Sequence, residues 1–299
     1  MGRPRRALCV QAQRLPGDET VNSEATTSLS TAQKPTESNG TQFLKWITDP
    51  RVYIRVISLV LVLGIWEWMG QSGVIRSAVF SYPSAIVRAF FELLFNGQMI
   101  SAAYESSQIL FAGLGIAIPL GVVIGTCMGR YRGFELAVDN YVYALYATPV
   151  VALAFPIAMV LGVDFVGKTT IVVFFAIMPI IVNTYHGVRN VDRSLMEVAD
   201  SFCSSERERW MDLILPSVVP YLVAGLGLAC GRALVGMVVA EFLMSISGLG
   251  ALSQDYTGNL QLDRGLAPVL LLMIVGIALT KVVAWCEKRF AKWRPHEAS

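Results

Sequence analysis

The segment from Gly162 to Thr169 has the residue types and spacing of a phosphate-binding loop. Its letters, GVDFVGKT, fit the pattern G-x-x-x-x-G-K-[ST], in which backbone amides and the lysine contact phosphates. Such a loop needs a strand before it, a helix N-terminus after it and a soluble sheet that holds both. Because an apolar stretch with Pro149 and Pro156 precedes this segment, we interpret it as a glycine-containing turn with Lys168 at the head of a helix.

Other residue sets that could do chemistry are sparse. The histidines are His186 and His296, and the sequence contains neither an H-E-x-x-H nor a G-x-S-x-G segment. The five cysteines are scattered without a C-x-x-C spacing, which favours unreactive thiols over disulfides or a metal site. The sequence therefore predicts no catalytic residue, no metal ligand and no cofactor on this chain. A membrane-embedded enzyme stays an alternative hypothesis.

The composition is that of a membrane protein. Hydrophobic residues make up 54% of the 299 residues and charged residues 15%, against roughly 25% charged residues in soluble domains. The apolar residues form long runs without the alternation of barrel strands, and a helix needs about 20 such residues to cross a bilayer. The predicted fold class is all-α, a polytopic membrane protein with about six transmembrane helices. The predicted spans are 53–70, 106–129, 140–162, 169–187, 217–244 and 266–286.

The two ends of the chain and the loop charges predict domain limits and orientation. Residues 1–42 are polar, with no apolar period and no apolar core of a signal peptide, so they predict a disordered cytoplasmic tail. Residues 43–294 form the membrane domain, and 295–299 a C-terminal tail. Lys and Arg concentrate in alternate segments, and the few in outer segments are Arg76, Arg88, Lys168 and Arg264. By the positive-inside rule both termini are cytoplasmic. The net charge of +2 follows from this topology and indicates no nucleic-acid partner.

The longest inner loop, about 188–216, has an amphipathic helical pattern. Its apolar residues Leu195, Val198 and Phe202 recur at helical spacing. Ser204 and Ser205, followed by two glutamates, predict the N-terminal cap of a second short helix, with a bend near Cys203. A surface loop that only connects two spans is the alternative.

This loop resembles the EAA loop of ABC importer permeases, E-A-A-x-x-x-G followed by I-x-L-P. The matching segments are Glu197-Val198-Ala199 and Leu213-Ile214-Leu215-Pro216. Cys203 stands at the position of the family's glycine, and if that position needs a positive φ, cysteine is strained there. In the family this loop is a coupling helix that docks on a cytoplasmic ATPase. The resemblance thus assigns ATPase coupling to Glu197, Val198, Ala199, Cys203, Leu215 and Pro216.

The resemblance covers residues 43–294 and is closest to permeases of the nitrate, aliphatic sulfonate, taurine and bicarbonate group. It is carried by YPSAIVRAF (82–90), TPVVALAFPIAMVLGV (148–163) and VVAEFLMSISGLG (238–250), among other segments. It implies a type I importer permease in the bacterial inner membrane, working as a homodimer. The implied partners are two ATPase subunits that carry the ATP and an extracytoplasmic solute-binding protein. The implied solute is a small anion, while pyrimidines and aromatic acids stay open, as does a stand-alone secondary transporter or channel.

Charged residues inside membrane spans are costly and usually line a pathway or pair with other groups. Arg232 is predicted either to guide an anion through the pore or to make a structural contact within the bundle. For Glu241 a structural role near the outer gate is favoured, and Glu67 is expected to reach the membrane interface. Arg232 and Glu241 are about 13 Å apart along one helix and cannot bond to each other.

Small residues and prolines complete the predicted membrane features. Gly121, Gly125 and Gly129 form consecutive G-x-x-x-G steps, as do Gly227 and Gly231, which indicates close helix packing within or between subunits. Prolines at 149, 156 and 179 are predicted to break the third and fourth spans around a cavity. Thr148, Asn183, Thr184 and Tyr185 are the polar candidates near it, and Thr148 and Asn183 are the possible pathway residues.

Overall fold

The computed structural model describes residues 50–72, 80–244 and 247–290, apart from the side chains of residues 50–52, 193 and 290. The predicted tails 1–42 and 295–299 lie outside the described residues. The chain divides into a unit that ends at Ser58 and a main unit from Leu59 onward. In the described residues all regular structure is helical. The helices are α1 (Pro50–Gln71), α2 (Pro83–Phe95), α3 (Gln98–Arg130), α4 (Arg132–Ala147), α5 (Val150–Leu161), α6 (Phe165–Arg189), α7 (Arg193–Ser201), α8 (Glu206–Glu208), a π-helical turn (Arg209–Ile214), α9 (Leu215–Met244), α10 (Leu249–Gly258) and α11 (Leu262–Phe290).

Five helices in the described residues are long and apolar enough to cross a membrane. They are Tyr53–Gln71, Gln98–Arg130, Phe165–Arg189, Glu206–Met244 and Leu262–Arg289. A sixth candidate is the pair α4 and α5, which bends by 100° at Thr148 and Pro149. The fold class is therefore the predicted one, an all-α polytopic membrane protein. The single run predicted at 140–162 is instead a bent pair of helices.

The proline predictions are correct at one position and wrong at two. Pro149 separates α4 from α5, as expected for a residue that lacks an N–H and fixes φ. Pro156 and Pro179 lie inside the unbroken helices α5 and α6. Pro179 is buried in the most enclosed helix of the bundle. Packing by neighbouring helices thus maintains the helix across a missing hydrogen bond, as it commonly does in membrane proteins.

Helix α6 forms the centre of the bundle and runs parallel to α3. Four glycines of α3 face it, and the offset in residue number to the nearest α6 side chain is the same each time. The pairs are Gly113 with Val172, Gly121 with Ile180, Gly125 with Thr184 and Gly129 with Val188. The predicted G-x-x-x-G steps of this span therefore pack two helices of the same chain. A Cβ at any of these glycines would come within 3 Å of α6.

Helix α9 packs antiparallel on another side of α6. Gly225 lies against Asn183 and Gly236 against Phe175, so later residues of α9 meet earlier residues of α6. Gly227 meets Val283 of α11, whereas nothing lies within 4 Å of a Cβ built on Gly231. Among the described residues, the second predicted G-x-x-x-G pair is thus packed at one glycine only.

Replacing Gly125 with alanine is expected to destabilise the bundle. The new Cβ would lie 2.6 Å from the Ile181 carbonyl oxygen, a backbone atom that cannot rotate away. Overpacking of this kind typically costs about 1–3 kcal/mol. The matched control is Gly115→Ala on the same helix, where nothing lies within 4 Å. In thermal melts of the purified protein, Gly125→Ala should melt lower than wild type and Gly115→Ala should not; equal melting would contradict the close α3–α6 packing.

Candidate functional site

The loop predicted to couple to an ATPase begins with a capped helix. Helix α7 starts after Asp192, whose side chain accepts a hydrogen bond from the Ser194 amide at 2.9 Å. We call the end of the bundle that carries α7 the loop end, and the opposite end the far end. The Ser205 side chain accepts from the Glu208 amide, and Glu208 accepts from the Ser205 amide at 2.7 Å. This capping box confirms the predicted start of a second helix.

The second helix is not a separate short one, contrary to the prediction. It continues from Glu206 through the π-helical turn into α9 without a break. The turn ends two residues before Pro216, whose ring would otherwise clash with the carbonyl one turn earlier. The widened turn accommodates Pro216, so Leu215 and Pro216 lie at the junction of loop and span. The proline in the L-P pair therefore does not end the helix.

Cys203 adopts the positive-φ backbone conformation that was expected to strain a cysteine at this position. Its φ is 53°, in the left-handed region. The Ser204 amide donates to the Ala199 carbonyl and the Cys203 amide to the Asp200 carbonyl, both at 3.0 Å. These two bonds form a Schellman motif, which most often has glycine at the position that Cys203 occupies. The predicted strain at this departure from the family pattern is thus present in the structure.

Replacing Cys203 with glycine is expected to stabilise the coupling loop. A left-handed L-residue costs roughly 1–2 kcal/mol, part of which glycine loses again in unfolded-state entropy. The net gain should show as slower proteolysis of the loop between α7 and α8 in the purified protein. Cys203→Ala is the control, because it removes the thiol but keeps the Cβ. If alanine protects as much as glycine, backbone strain is not the cause.

Helix α7 carries an apolar stripe that the described chain leaves uncovered. Leu195, Val198 and Phe202 lie on one face, with 46%, 51% and 79% of their surfaces exposed. Glu197 beside them is exposed, whereas Ala199 is half-buried. Among the described residues Glu197 forms no ion pair. At the base of the loop Leu215 is exposed and Pro216 half-buried.

Ion pairs fix the coupling loop to the bundle. Arg209 forms a salt bridge with Asp200 at 2.7 Å, and its Nε donates to the Ser204 carbonyl at 3.2 Å. Arg130 at the end of α3 pairs with Glu206 at 3.1 Å. The helix α7 is thereby tied to the start of the next helix, and that helix to α3.

A buried carboxylate at the loop end was missed by sequence reasoning. Glu135 lies in the first turn of α4 and is buried, yet three polar groups converge on it. Arg132 and Arg189 each approach it at 2.7 Å, and the Tyr185 hydroxyl donates to it at 2.8 Å. None of these residues was assigned a role in a site from the sequence, although a glutamate three residues after Arg132 was a possible signal.

Arg232 lies midway along α9 and contacts an aromatic residue instead of an acid. Its Nη2 donates to the Tyr146 hydroxyl at 3.2 Å, and its guanidinium lies 4.6 Å from the Tyr146 ring centroid. Within the described residues it forms no ion pair with a carboxylate. Arg232 shares a helix face with Leu228 and Val235, both of which are more than half exposed. The described part of the chain thus leaves this face of α9 uncovered.

Glu241 is buried at the far end of the bundle, where it accepts a hydrogen bond from the first turn of α10. It is fully buried, and its oxygens accept hydrogen bonds from the Ser106 hydroxyl at 2.6 Å and the Gly250 amide at 2.7 Å. It therefore caps the N-terminus of α10, where a negative charge is favourable. Ser106 also accepts from the Leu249 amide at 2.8 Å. These contacts are those of a residue that holds the turn before α10 in place, which is consistent with the structural role that the sequence favoured.

Lys168 of the phosphate-loop-like segment supports the same turn. Its side chain is 2% exposed, and Nζ donates to the Ser247 carbonyl oxygen at 3.0 Å and the Ser247 hydroxyl at 3.2 Å. Gly162 has φ 82°, and α6 begins at Phe165. The segment is the predicted glycine-containing turn before a helix, and its lysine faces protein groups rather than open space.

The remaining polar candidates lie near these sites without forming one cluster. The Thr148 hydroxyl donates to the Ala144 carbonyl at 2.7 Å, at the corner between α4 and α5. The Asn183 amide donates to the Pro179 carbonyl at 2.8 Å and so turns back on its own helix. Glu67 accepts from the Ser84 amide at 3.0 Å and caps α2. No group of three potential metal ligands occurs among the residues the structure describes.

The described residues form a helical bundle with five apolar spans, one bent pair and an amphipathic helix at one end, the architecture of a polytopic membrane protein. Residues 117–293 match the model of the family described as binding-protein-dependent transport system inner membrane component. The chain belongs to this family. It is thus the membrane permease subunit of an ABC importer system, which works with ATPase and binding-protein partners.

Two relatives and one solved structure agree with this assignment. A Bacillus subtilis (strain 168) protein assigned as the aliphatic sulfonates transport permease SsuC is 30% identical over 78% of this chain and 85% of its own length. The nitrate import permease protein NrtB of Synechococcus elongatus is 28% identical over 80% of this chain and 91% of its own length. An amino acid ABC transporter crystallised with histidines superposes with a TM-score of 0.53 at 16% identity, over 67% of this chain and 98% of that one. The last comparison concerns the fold alone.

Proposed function

We propose that this chain forms the translocation pore for a small anionic solute and couples it to ATP hydrolysis on a separate subunit. Two copies form the pore, the termini face the cytoplasm, and the chain itself holds no cofactor. The ATPase dimer binds the loop end, and a solute-binding protein delivers its ligand at the far end. The lysine and arginine distribution supports this orientation.

The uncovered apolar stripe of α7 is the observation that carries the proposal. Leu195, Val198 and Phe202 lie on a helix at the end of the bundle, where water would otherwise surround them. An amphipathic helix of this kind fits a hydrophobic groove on a partner. The exposed Glu197 adds a charged contact, and the salt bridge of Arg209 with Asp200 holds the helix to the chain. Movement of the groove would therefore carry α7 and the start of α9 with it.

The face of α9 that carries Arg232 supports the second copy and the anion. A guanidinium midway along a span, with no carboxylate partner in the described residues, would be costly against lipid. A second copy that faces Leu228 and Val235 across a pathway would enclose it there. There it would present planar donors to an anion's oxygens. Sulfonate and nitrate, named for two relatives, share a negative charge carried on oxygens.

Transport follows from alternating closure of the partners. ATP binding closes the ATPase dimer, draws the two α7 helices together and opens the pore towards the far end. The solute-binding protein releases its ligand there, and the anion passes Arg232. Hydrolysis and separation of the ATPases return the pore to its loop-end-open state. Glu241 and Lys168 keep the far-end turn in place during this cycle.

Gentle detergent purification of the chain from its native membrane tests the proposal. We expect an ATPase subunit to co-purify, and Glu197→Ala to lose it while the variant elutes at the wild-type position. The control is Glu287→Gln, which removes an exposed charge from α11 and should retain the ATPase. Absence of any ATPase, under conditions that preserve a known importer, would favour a stand-alone carrier instead. Retention by Glu197→Ala would remove this residue from the docking surface.

A further inference from the structure

We propose that α4 transmits movement of the coupling loop to Arg232, with Glu135 and Tyr146 as its two positioning residues. This inference rests on the proposed function, because it assumes that the loop moves and that Arg232 faces the pathway. The family resemblance assigned no role to α4.

The loop end of α4 is fastened through Glu135. Arg189, which pairs with it at 2.7 Å, is the last residue of α6 and lies a few residues before α7. Tyr185, one turn earlier on α6, donates to the same carboxylate at 2.8 Å. Arg132 also pairs with Glu135. Because Glu135 is buried while Arg132 and Arg189 are about half exposed, the carboxylate is the enclosed member of these ion pairs. A shift of the α6 C-terminus would therefore pull on the first turn of α4.

The other end of α4 holds the pathway arginine. Tyr146 is the penultimate residue of the helix, and it contacts Arg232 both through its hydroxyl, at 3.2 Å, and through its ring, at 4.6 Å. A cation over an aromatic face is attracted by the ring, more strongly where water is excluded. The bend at Thr148 and Pro149 follows at once, so α4 ends at this contact.

Glu135 and Tyr146 lie on one face of a continuous helix. They are separated by about three helical turns, roughly 16 Å at 1.5 Å per residue. Val142 lies between them on the same face and packs with Met178 and Ile181 of α6. Glu135 and Val142 are the buried residues of α4, and much of the rest of the helix is exposed. The helix is therefore attached along one stripe, which favours movement as a single body.

The experiment measures whether ATP binding changes the labelling rate of a thiol near Arg232, and whether this change depends on Glu135. Val235→Cys, in a chain whose native cysteines are replaced by serine, places a thiol on the same face of α9. The purified complex with its ATPase, in nanodiscs, is labelled with a charged thiol reagent before and after trapping with ATP and vanadate. We expect the labelling rate to change on trapping, and Glu135→Gln to abolish this change while the ATPase still co-purifies. The control Glu92→Gln removes another salt bridge, to Arg264 at 2.7 Å, and should keep the change.

Variants of Tyr146, at the C-terminal end of α4, test the same inference if Glu135→Gln does not fold. Tyr146→Leu removes both contacts with Arg232 and should abolish the change, whereas Tyr146→Phe keeps the ring and should retain part of it. A full ATP-dependent change in Glu135→Gln or in Tyr146→Leu would overturn the role of α4. Failure of the ATPase to co-purify with the unmodified chain would instead overturn the proposed function.

Discussion

Replacing Glu241 with alanine is expected to destabilise the far end of the bundle strongly. The Gly250 amide and the Ser106 hydroxyl would lose their acceptor inside a fully buried site. Each buried donor left unpaired costs about 1–3 kcal/mol, so the two together give roughly 2–6 kcal/mol. The measurement is the apparent melting temperature of the purified protein, which should fall clearly below that of wild type.

Two companion variants separate this explanation from a general sensitivity of the site. Glu241→Gln keeps a carbonyl oxygen for the Gly250 amide and should lose much less stability. Gly248→Ala should be as harmful as Glu241→Ala, because Gly248 has φ 104° and ψ 178°, a region populated almost only by glycine. Its Cβ would also overlap the Glu241 carboxylate. Wild-type melting of Glu241→Ala would show that the carboxylate does not brace the turn.

Replacing Arg232 with glutamine is expected to have the largest effect on transport. The change removes the positive charge midway along α9 and keeps a neutral hydrogen-bond donor on a shorter side chain. A hydrogen bond to a charged group is worth about 1.5–3 kcal/mol, and about 1.4 kcal/mol is tenfold, so uptake should fall roughly ten- to a hundredfold. The measurement is ATP-dependent uptake of labelled sulfonates or nitrate by proteoliposomes that contain the assembled complex.

Two control variants test the role of the positive charge, one at Arg232 itself and one at an arginine elsewhere in the chain. Arg232→Lys keeps the charge and should retain more uptake than glutamine. Arg264→Gln removes an arginine from an exposed salt bridge with Glu92 and should leave uptake near wild type. Unchanged uptake by Arg232→Gln would assign Arg232 to packing against Tyr146 alone, which is the structural alternative that the sequence left open.

The membrane spans and the coupling loop could be predicted because they depend on local sequence. Apolar runs long enough to cross a bilayer predicted six spans, of which five are single helices and one is the bent pair of α4 and α5. The spacing of Leu195, Val198 and Phe202 predicted the amphipathic helix. The strain at Cys203 followed from the glycine that the family motif has there, and φ 53° agrees with it. In each case a short stretch of chain contains all the information that the feature needs.

Features that depend on packing between distant segments were missed or wrong. Pro156 and Pro179 carry the same local signal as Pro149, but of the three only Pro149 lies at a break between two helices. Glu135 receives Arg189 and Tyr185 from another helix, and Arg232 finds Tyr146, a residue that no motif marks. The turn that contains Lys168 was predicted, but its contact with Ser247, which lies far away in the sequence, was not. Such contacts follow from the fold, not from spacing.

The most direct test of the account is ATP-driven uptake by a reconstituted complex of this chain, its co-purified ATPase and its binding protein. The three are combined in proteoliposomes, and accumulation of the ligand identified for the binding protein is followed with and without ATP on the side of the ATPase. The account predicts accumulation that requires ATP and all three proteins, and that is lost with Glu197→Ala. Uptake by this chain alone, driven by an ion gradient and indifferent to ATP, would contradict it.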